Sequence, residues 1–166
     1  MNIVKILEYI NESRSMTGVC GGGKRKIYRK ILKHECVKYN SYIPDTVKIG
    51  KNVCFPHGIM GIFISQGAVI GDNVTIFHQV TIGSNTLKDS KNFGAPIIGN
   101  NAYIGAGAKI IGNVIVGDNV RIGANAVITT DIPANATVVL EKVRIIQHSS
   151  ERDNHFAKFN LQIDGR

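Results

Sequence analysis

Two histidines of the chain stand where an imidazole could transfer a proton. His57 follows Pro56, and His78 follows Phe77. Because unperturbed imidazole titrates at about pH 6.5, a histidine can accept a proton from a hydroxyl or an amine at neutral pH. No Ser or Cys lies in a nucleophile motif, so we expect any group transfer to be direct, without a covalent intermediate. A structural turn histidine is the alternative interpretation of each position.

The cysteines give no comparable indication of catalytic or metal-binding chemistry. Cys20, Cys36 and Cys54 form an odd set without a CxxC or any other metal-ligand spacing. We therefore expect reduced thiols and no metal.

The net charge is +8, and six positive charges fall within the ten residues from Lys24 to Lys33. Such a patch could bind a nucleic acid, a phosphorylated cofactor or an acidic polymer, and a solvated basic face is the plain alternative. Because no RNA- or DNA-binding motif accompanies it, we expect no nucleic-acid partner.

The composition indicates which elements must position these residues. The chain contains 25 Ile and 15 Val but only 5 Leu, and β-branched residues favour strands. Its 18 Gly and 15 Asn suit turns that need positive φ. No run approaches the roughly 18 apolar residues of a membrane span, and no signal-peptide core follows Met1. We therefore expect a mainly β, cytoplasmic protein without membrane insertion.

Aliphatic residues recur every six positions, and a small or aliphatic residue follows each of them four positions later. The longest uninterrupted run of the first kind is Ile98, Ile104, Ile110, Val116, Ile122 and Ile128, and that of the second is Ala102, Ala108, Val114, Val120, Ala126 and Ile132. Neither a helical nor a simple strand period produces this hexad frame. It predicts short strands and tight turns that stack into a prism with the aliphatic side chains inside. The pattern resembles the left-handed parallel β-helix of hexapeptide-repeat proteins.

The hexad frame is broken twice, and each break lies near a histidine. Three extra residues fall between Phe55 and Ile64, beside His57. Ten more fall between Ile82 and Ile98, one hexad after His78, and predict an extruded loop over residues 84–96. Because repeat proteins carry such insertions on their binding face, the breaks mark the candidate site.

Two segments lie outside the prism. Ile3, Ile6, Leu7 and Ile10 follow the spacing of an amphipathic helix over residues 2–13, and residues 24–38 could form a second, basic helix. We therefore divide the chain into an N-terminal helical segment (1–40), a β-helix domain (41–146) and a polar C-terminal tail (147–166).

From about Ile43 to Ile146 the chain resembles the serine acetyltransferase branch of the hexapeptide acyltransferases, including the O-acetyltransferases of polysaccharide biosynthesis. The segments that carry the resemblance are KIGKNVCFPHGIMGIFIS, AVIGDNVTIFHQVTIG and IGAGAKIIGNVIVGDNVRIGANAVI. It implies a homotrimer that transfers an acetyl group from acetyl-CoA to a hydroxyl of a small acceptor. It also implies that His57 is the general base and that His78 lines the acceptor site. The cofactor-binding residues that it implies are Gly105, Ala106, Arg121, Gly123 and Ala124.

The chain departs from the serine enzymes at two positions of the site. Pro56 stands where they have an aspartate before the catalytic histidine, and Ala95 stands where they have a second histidine. These departures weaken the case for serine as the acceptor. A sugar hydroxyl of a surface-polysaccharide precursor and L-serine therefore both remain candidate acceptors. A non-catalytic scaffold or binding protein is the alternative function. A zinc carbonic anhydrase of the same fold is disfavoured, because it needs three convergent imidazoles and the coils supply only two.

Overall fold

A computed structural model describes residues 3, 5–8, 22–141, 145–147, 149 and 151. Within them lie one long helix and thirteen short strands. The helix is α1 (Gly22–Lys38). The strands are β1 (Lys48–Ile49), β2 (Pro56–Ile59), β3 (Phe63–Ile64), β4 (Val69–Ile70), β5 (Thr75–Ile76), β6 (Thr81–Gly83), β7 (Ile97–Ile98), β8 (Tyr103–Ile104), β9 (Lys109–Ile111), β10 (Ile115–Val116), β11 (Arg121–Ile122), β12 (Val127–Ile128) and β13 (Thr137–Val138).

Twelve of the strands form three parallel sheets, which are the three faces of a prism. Face A contains β3, β6, β9 and β12, face B contains β1, β4, β7 and β10, and face C contains β5, β8, β11 and β13. The chain passes from face A to B to C and back to A, so consecutive strands lie on different faces. The structure is thus a parallel β-helix, as the hexad frame predicts.

The second residue of every strand except β2 points into the prism. Ile76, Ile104 and Ile122 are stacked in register on face C, and each has an exposed fraction of 0%. Equivalent columns line the other two faces, and the small residue of each hexad is buried at a corner, as at Ala108. Stacked aliphatic columns remove nearly all of their apolar surface from water, and this burial stabilises the coils.

Asparagine makes the turns between faces B and C. Asn52, Asn73, Asn101, Asn119 and Asn135 all have left-handed backbones, with φ between 55° and 61°. Asparagine tolerates this conformation better than most residues because its short polar side chain bonds locally. The Nδ2 of Asn101 donates to Oδ1 of Asn119 at 2.8 Å, and that of Asn119 donates to Oδ1 of Asn135 at 2.9 Å.

The register of the sheets locates every irregularity of the hexad frame. Equivalent residues in regular coils are 18 apart, but they are 21 apart across the break beside His57 and 28 apart across the 84–96 loop. The last coil is shorter, because Asn119 and Asn135 are only 16 apart. Ile132, which the hexad frame assigned to a corner, instead bridges Val116 on face B. The assignment of Ile132 was therefore wrong, since the last coil loses two residues at this corner.

The N-terminal residues that the structure describes pack on the first coil. Residues 3 and 5–8 are helical, and Ile6 and Leu7 are buried. Most of the remaining predicted helix over 2–13 lies outside the described residues, as does most of the 147–166 tail. In α1, Leu32 and Cys36 face the core, while Arg29 pairs with Asp45 of the first coil at 2.7 Å.

Among the described cysteines, Cys36 is a buried free thiol and Cys54 an exposed one. Cys20 lies outside the described residues. None of the described helices combines the length and apolar character needed to cross a membrane.

Candidate active site

Six of the predicted site residues, the two histidines and the pairs Gly105-Ala106 and Gly123-Ala124, share one edge of the prism, which we call the C–A corner because its turns lead from face C to face A. His78, Ala106 and Ala124 each lie two residues after a strand of face C, and His57 lies in β2 at the same corner of the first coil. Backbone hydrogen bonds connect these turns: Gly107 N donates to His78 O at 3.0 Å, and Asn125 N donates to Ala106 O at 2.8 Å. The fold therefore stacks the two histidines above the two alanine turns.

The two histidines are in direct contact. Their Nδ1 atoms are 2.9 Å apart, and their ring centroids are 4.9 Å apart at a tilt of 36°. A hydrogen bond at this distance requires one Nδ1 to carry the proton and the other to accept it. The Nε2 of His57 takes no part in this bond, and His57 is exposed to solvent. The contact thus leaves His57 Nε2 for another partner.

Aromatic rings fix the surroundings of His57. Phe77 meets the His57 ring edge-on, with centroids 5.3 Å apart and planes at 89°. Phe77 also packs against Tyr103 of the next coil, at 5.1 Å between centroids. Edge-to-face pairs at these distances are favourable because the ring edge is positive and the ring face negative. The surface around His57 is therefore partly apolar. Tyr103 leaves 46% of its own surface exposed there.

Lys109 holds the same corner together, and the sequence analysis missed it. Its Nζ donates to Gln79 O at 3.0 Å and to Gly107 O at 2.7 Å. These two carbonyls belong to successive turns of the C–A corner, so one ammonium group joins the turn of His78 to that of Ala106. Lys109 is the first residue of β9, and the first residue of a strand points outward. This outward position is the signal in the sequence that could have identified it.

The turn at Gly105 has no room for a side chain. A Cβ built there would lie 2.7 Å from Ala124 N and 2.9 Å from Ile122 O, both backbone atoms of the next coil. The equivalent Cβ at Gly123 would meet nothing closer than 3.3 Å. Close backbone approach thus explains Gly105, whereas Gly123 carries a weaker constraint.

Arg121 projects from face C, two residues after Asn119 of the turn between faces B and C. It is in register with Tyr103 of the preceding coil and is exposed. Together with Asn101 and Asn119 it lines a polar recess of about 260 Å³. A guanidinium group in such a recess can bind phosphate oxygens in a bidentate manner.

The 84–96 loop leaves the prism at a different edge, between faces A and B. Within it, Asn85 and Gly94 form an antiparallel bridge. Asn92 ties it to the coils below, since its Nδ2 donates to Thr129 O at 2.7 Å and its carbonyl accepts from Asn113 N at 3.0 Å. In a single chain, face A therefore lies between this loop and the turns of Ala106 and Ala124. One chain alone therefore does not bring the loop and these turns together.

No three His, Cys, Asp or Glu side chains converge as a metal site in the part of the chain that the structure describes.

The sequence and the fold are similar to those of known acyltransferases. Residues 95–130 match the bacterial transferase hexapeptide family (six repeats). A stretch of 99 residues is 44% identical to the serine acetyltransferase of Helicobacter pylori and covers 60% of this chain and 56% of that protein. Soybean serine acetyltransferase complexed with serine is 28% identical, with a TM-score of 0.64 over 85% of this chain and 56% of that one. A serine acetyltransferase in complex with CoA is 27% identical, with a TM-score of 0.62 over 81% of this chain and 51% of that one.

The chain is thus similar to the serine acetyltransferases among the hexapeptide-repeat transferases. Its fold is a left-handed parallel β-helix, so the predicted fold and the predicted resemblance to serine acetyltransferases are both confirmed. The chain spans about half the length of the curated relatives that it matches.

Proposed function

We propose that the protein is an acetyl-CoA-dependent O-acetyltransferase with His57 as its general base. The observation that carries the proposal is the C–A corner, where an exposed imidazole with a free Nε2 lies above the Ala106 and Ala124 turns. The similarity to serine acetyltransferases, one of them in complex with CoA, supports the same chemistry.

In the proposed reaction, Nε2 of His57 accepts the hydroxyl proton while the acceptor oxygen attacks the thioester carbonyl carbon. The carbon–sulfur bond of the resulting tetrahedral intermediate then breaks, and the departing sulfur takes the proton from His57. The products are the acetyl ester and CoA with a free thiol. The chain returns to its starting protonation state, and no metal is required.

We further propose that acetyl-CoA lies along the C–A corner. The turns Gly105-Ala106 and Gly123-Ala124 present backbone groups to its pantetheine arm, because their side chains are absent or small. Arg121, exposed on the adjoining face, is our candidate for binding its phosphate groups.

A homotrimer belongs to this proposal, since a neighbouring chain could bring its 84–96 loop to the C–A corner. Apolar strand residues on the outer faces support association: Ile97 and Ile115 are register neighbours on face B and leave 43% and 52% of their surface exposed. On face A, Phe63 and Val127 leave 44% and 62% exposed. Exposed apolar groups of this kind are typical of subunit contacts.

A sugar hydroxyl is our first candidate for the acceptor. The Phe77 and Tyr103 rings beside His57 offer an apolar surface on which the flat face of a pyranose could stack. Pro56 removes a carboxylate from the position next to the base. L-Serine is the second candidate, because the chain is similar to enzymes that are named serine acetyltransferases. A cytoplasmic location also belongs to the proposal.

The test is thiol release from acetyl-CoA by the purified protein, measured with serine and a panel of sugars. Loss of general-base assistance typically lowers the rate by about 10²–10⁴-fold, so His57→Ala should lose most of kcat while it still binds CoA. His34→Ala, on the exposed side of α1, is the matched control and should keep wild-type activity. If His57→Ala kept more than about a tenth of wild-type turnover, the assignment of the base would be wrong. No thiol release by the wild type with any acceptor would favour the scaffold alternative.

A further inference from the structure

We infer that His78 is a positioning residue that holds the His57 ring through its Nδ1 atom. The inference rests on the proposed function and deepens it, because it explains how the base is oriented without a carboxylate neighbour. The resemblance to serine acetyltransferases implies that His78 lines the acceptor site. The structure instead has Nδ1 of His78 2.9 Å from Nδ1 of His57.

The geometry allows one productive arrangement of protons. If His57 Nδ1 donates to His78 Nδ1, the lone pair of His57 stays on Nε2, where the acceptor proton must go. The opposite arrangement puts the His57 proton on Nε2 and leaves it unable to act as a base there. When His57 takes up the acceptor proton, its Nδ1–H still points into the lone pair of a neutral His78. With its own proton on Nε2, His78 thus favours the reactive tautomer of His57 and keeps its hydrogen bond throughout the cycle.

The turn that carries His78 is anchored on both sides. Phe77 N donates to Ile104 O at 3.1 Å, and the His78 carbonyl accepts from Gly107 N at 3.0 Å. The next residue, Gln79, has a φ of 59°, donates its N–H to Met60 O at 2.9 Å, and accepts from Lys109 Nζ at 3.0 Å. A support fixed to the coils above and below can hold another ring in one orientation.

The residue before His57 cannot provide this support. Pro56 has neither a polar side chain nor an N–H group, and its side chain is exposed. The edge-on Phe77 ring restricts the plane of His57 but cannot choose between its tautomers. Among the described groups around His57, His78 is the one whose hydrogen bond can make that choice.

A series of His78 variants tests the inference through catalysis. His78→Ala should lower kcat by about 10- to 100-fold, as loss of an orienting partner typically does, with little change in the KM of the acceptor. His78→Asn and His78→Asp should recover much of this loss, because each can place an accepting oxygen near the position of Nδ1. Thermal unfolding and CoA binding of each variant verify that the corner is intact. A raised acceptor KM with kcat unchanged in His78→Ala would overturn the inference.

A second readout does not depend on activity. Nitrogen NMR of the histidine rings at about pH 8, above the titration of free imidazole, reports which nitrogen carries the proton. In the wild type we expect His57 to be protonated on Nδ1, and in His78→Ala to exchange between both tautomers. The same His57 tautomer in both proteins would refute the role of His78. If the wild type released no thiol, the proposed function would fail, whereas the NMR result would still decide the His57–His78 contact.

Discussion

Replacing Gly105 by Ala should disturb the C–A corner without touching any reacting group. A Cβ at this position would lie 2.7 Å from Ala124 N, although ordinary van der Waals contact begins at 3.4 Å. The two coils would have to separate by roughly 0.7 Å at a point where Gly105 N donates to Ile122 O at 2.8 Å. Because the obstructing atoms are backbone, no side-chain rotation can relieve the contact.

The expected loss of stability follows from two opposing effects. Overpacking typically costs about 1–3 kcal/mol, and a backbone obstacle favours the upper half of that range. Replacing Gly by Ala also restricts the unfolded chain, which returns about 0.4–1 kcal/mol where the native backbone suits alanine. The net destabilisation expected for Gly105→Ala is therefore about 1–2.5 kcal/mol.

Gly123→Ala is the matched control, because Gly123 occupies the same corner one coil further along. Its Cβ would lie 3.3 Å from Val138 O and 3.4 Å from the side chain of Val139, which is 69% exposed and free to move. We expect its stability to stay within about 0.5 kcal/mol of wild type, as for substitutions away from a specific constraint.

Thermal unfolding of the two variants at one protein concentration measures the difference. For a chain of this size, about 1–2.5 kcal/mol corresponds to roughly 2–10 °C in Tm. A constant concentration matters because association shifts the apparent stability. If the two variants unfolded at the same temperature, or if Gly123→Ala were the less stable, the close-approach argument would be refuted.

Three further predictions concern the cofactor, the assembly and the core. Ala124→Trp should abolish measurable CoA binding in calorimetry while circular dichroism stays unchanged, because Ala124 is exposed at a turn; unaltered affinity would contradict the proposed cofactor path. Light scattering at micromolar concentration should give the mass of a trimer, and a monomeric mass would contradict the proposal that a neighbouring chain brings its 84–96 loop to the C–A corner. Ile104→Ala should lower the free energy of unfolding in urea by about 2–5 kcal/mol, since Ile104 is completely buried between Ile76 and Ile122. A loss below about 1 kcal/mol would mean that the interior repacks around the cavity.

Most of the fold could be predicted because the hexad frame is a direct record of burial. A residue that returns to the same column every eighteen positions must be aliphatic, and Ile104 and Ile122 satisfy this at two successive coils. The shortened last coil was harder to predict. Ile132 suits a corner and a strand equally well, and only its pairing with Val116 distinguishes the two positions.

The edge at which the 84–96 loop leaves the prism also follows from the sequence. Its insertion point lies directly after β6 on face A, so the loop must leave between faces A and B. Its path cannot be predicted from the hexad frame, because the loop is held by individual polar contacts such as that of Asn92 with Thr129. Contacts of this kind do not recur at a fixed spacing in the sequence.

The His57–His78 contact could have been inferred from the spacing of the two histidines, although the hexad frame alone does not reveal it. The two histidines are 21 residues apart, which is also the separation of Asn52 and Asn73, a stacked pair at another corner. A β-helix juxtaposes residues one coil apart, so chemistry-bearing residues must be compared at the coil spacing, with insertions added, rather than as neighbours in the chain. The sequence could not specify which ring nitrogens face each other. That depends on side-chain rotamers, and Phe77, packed against Tyr103, restricts the rotamer of His57 through a contact between adjacent coils.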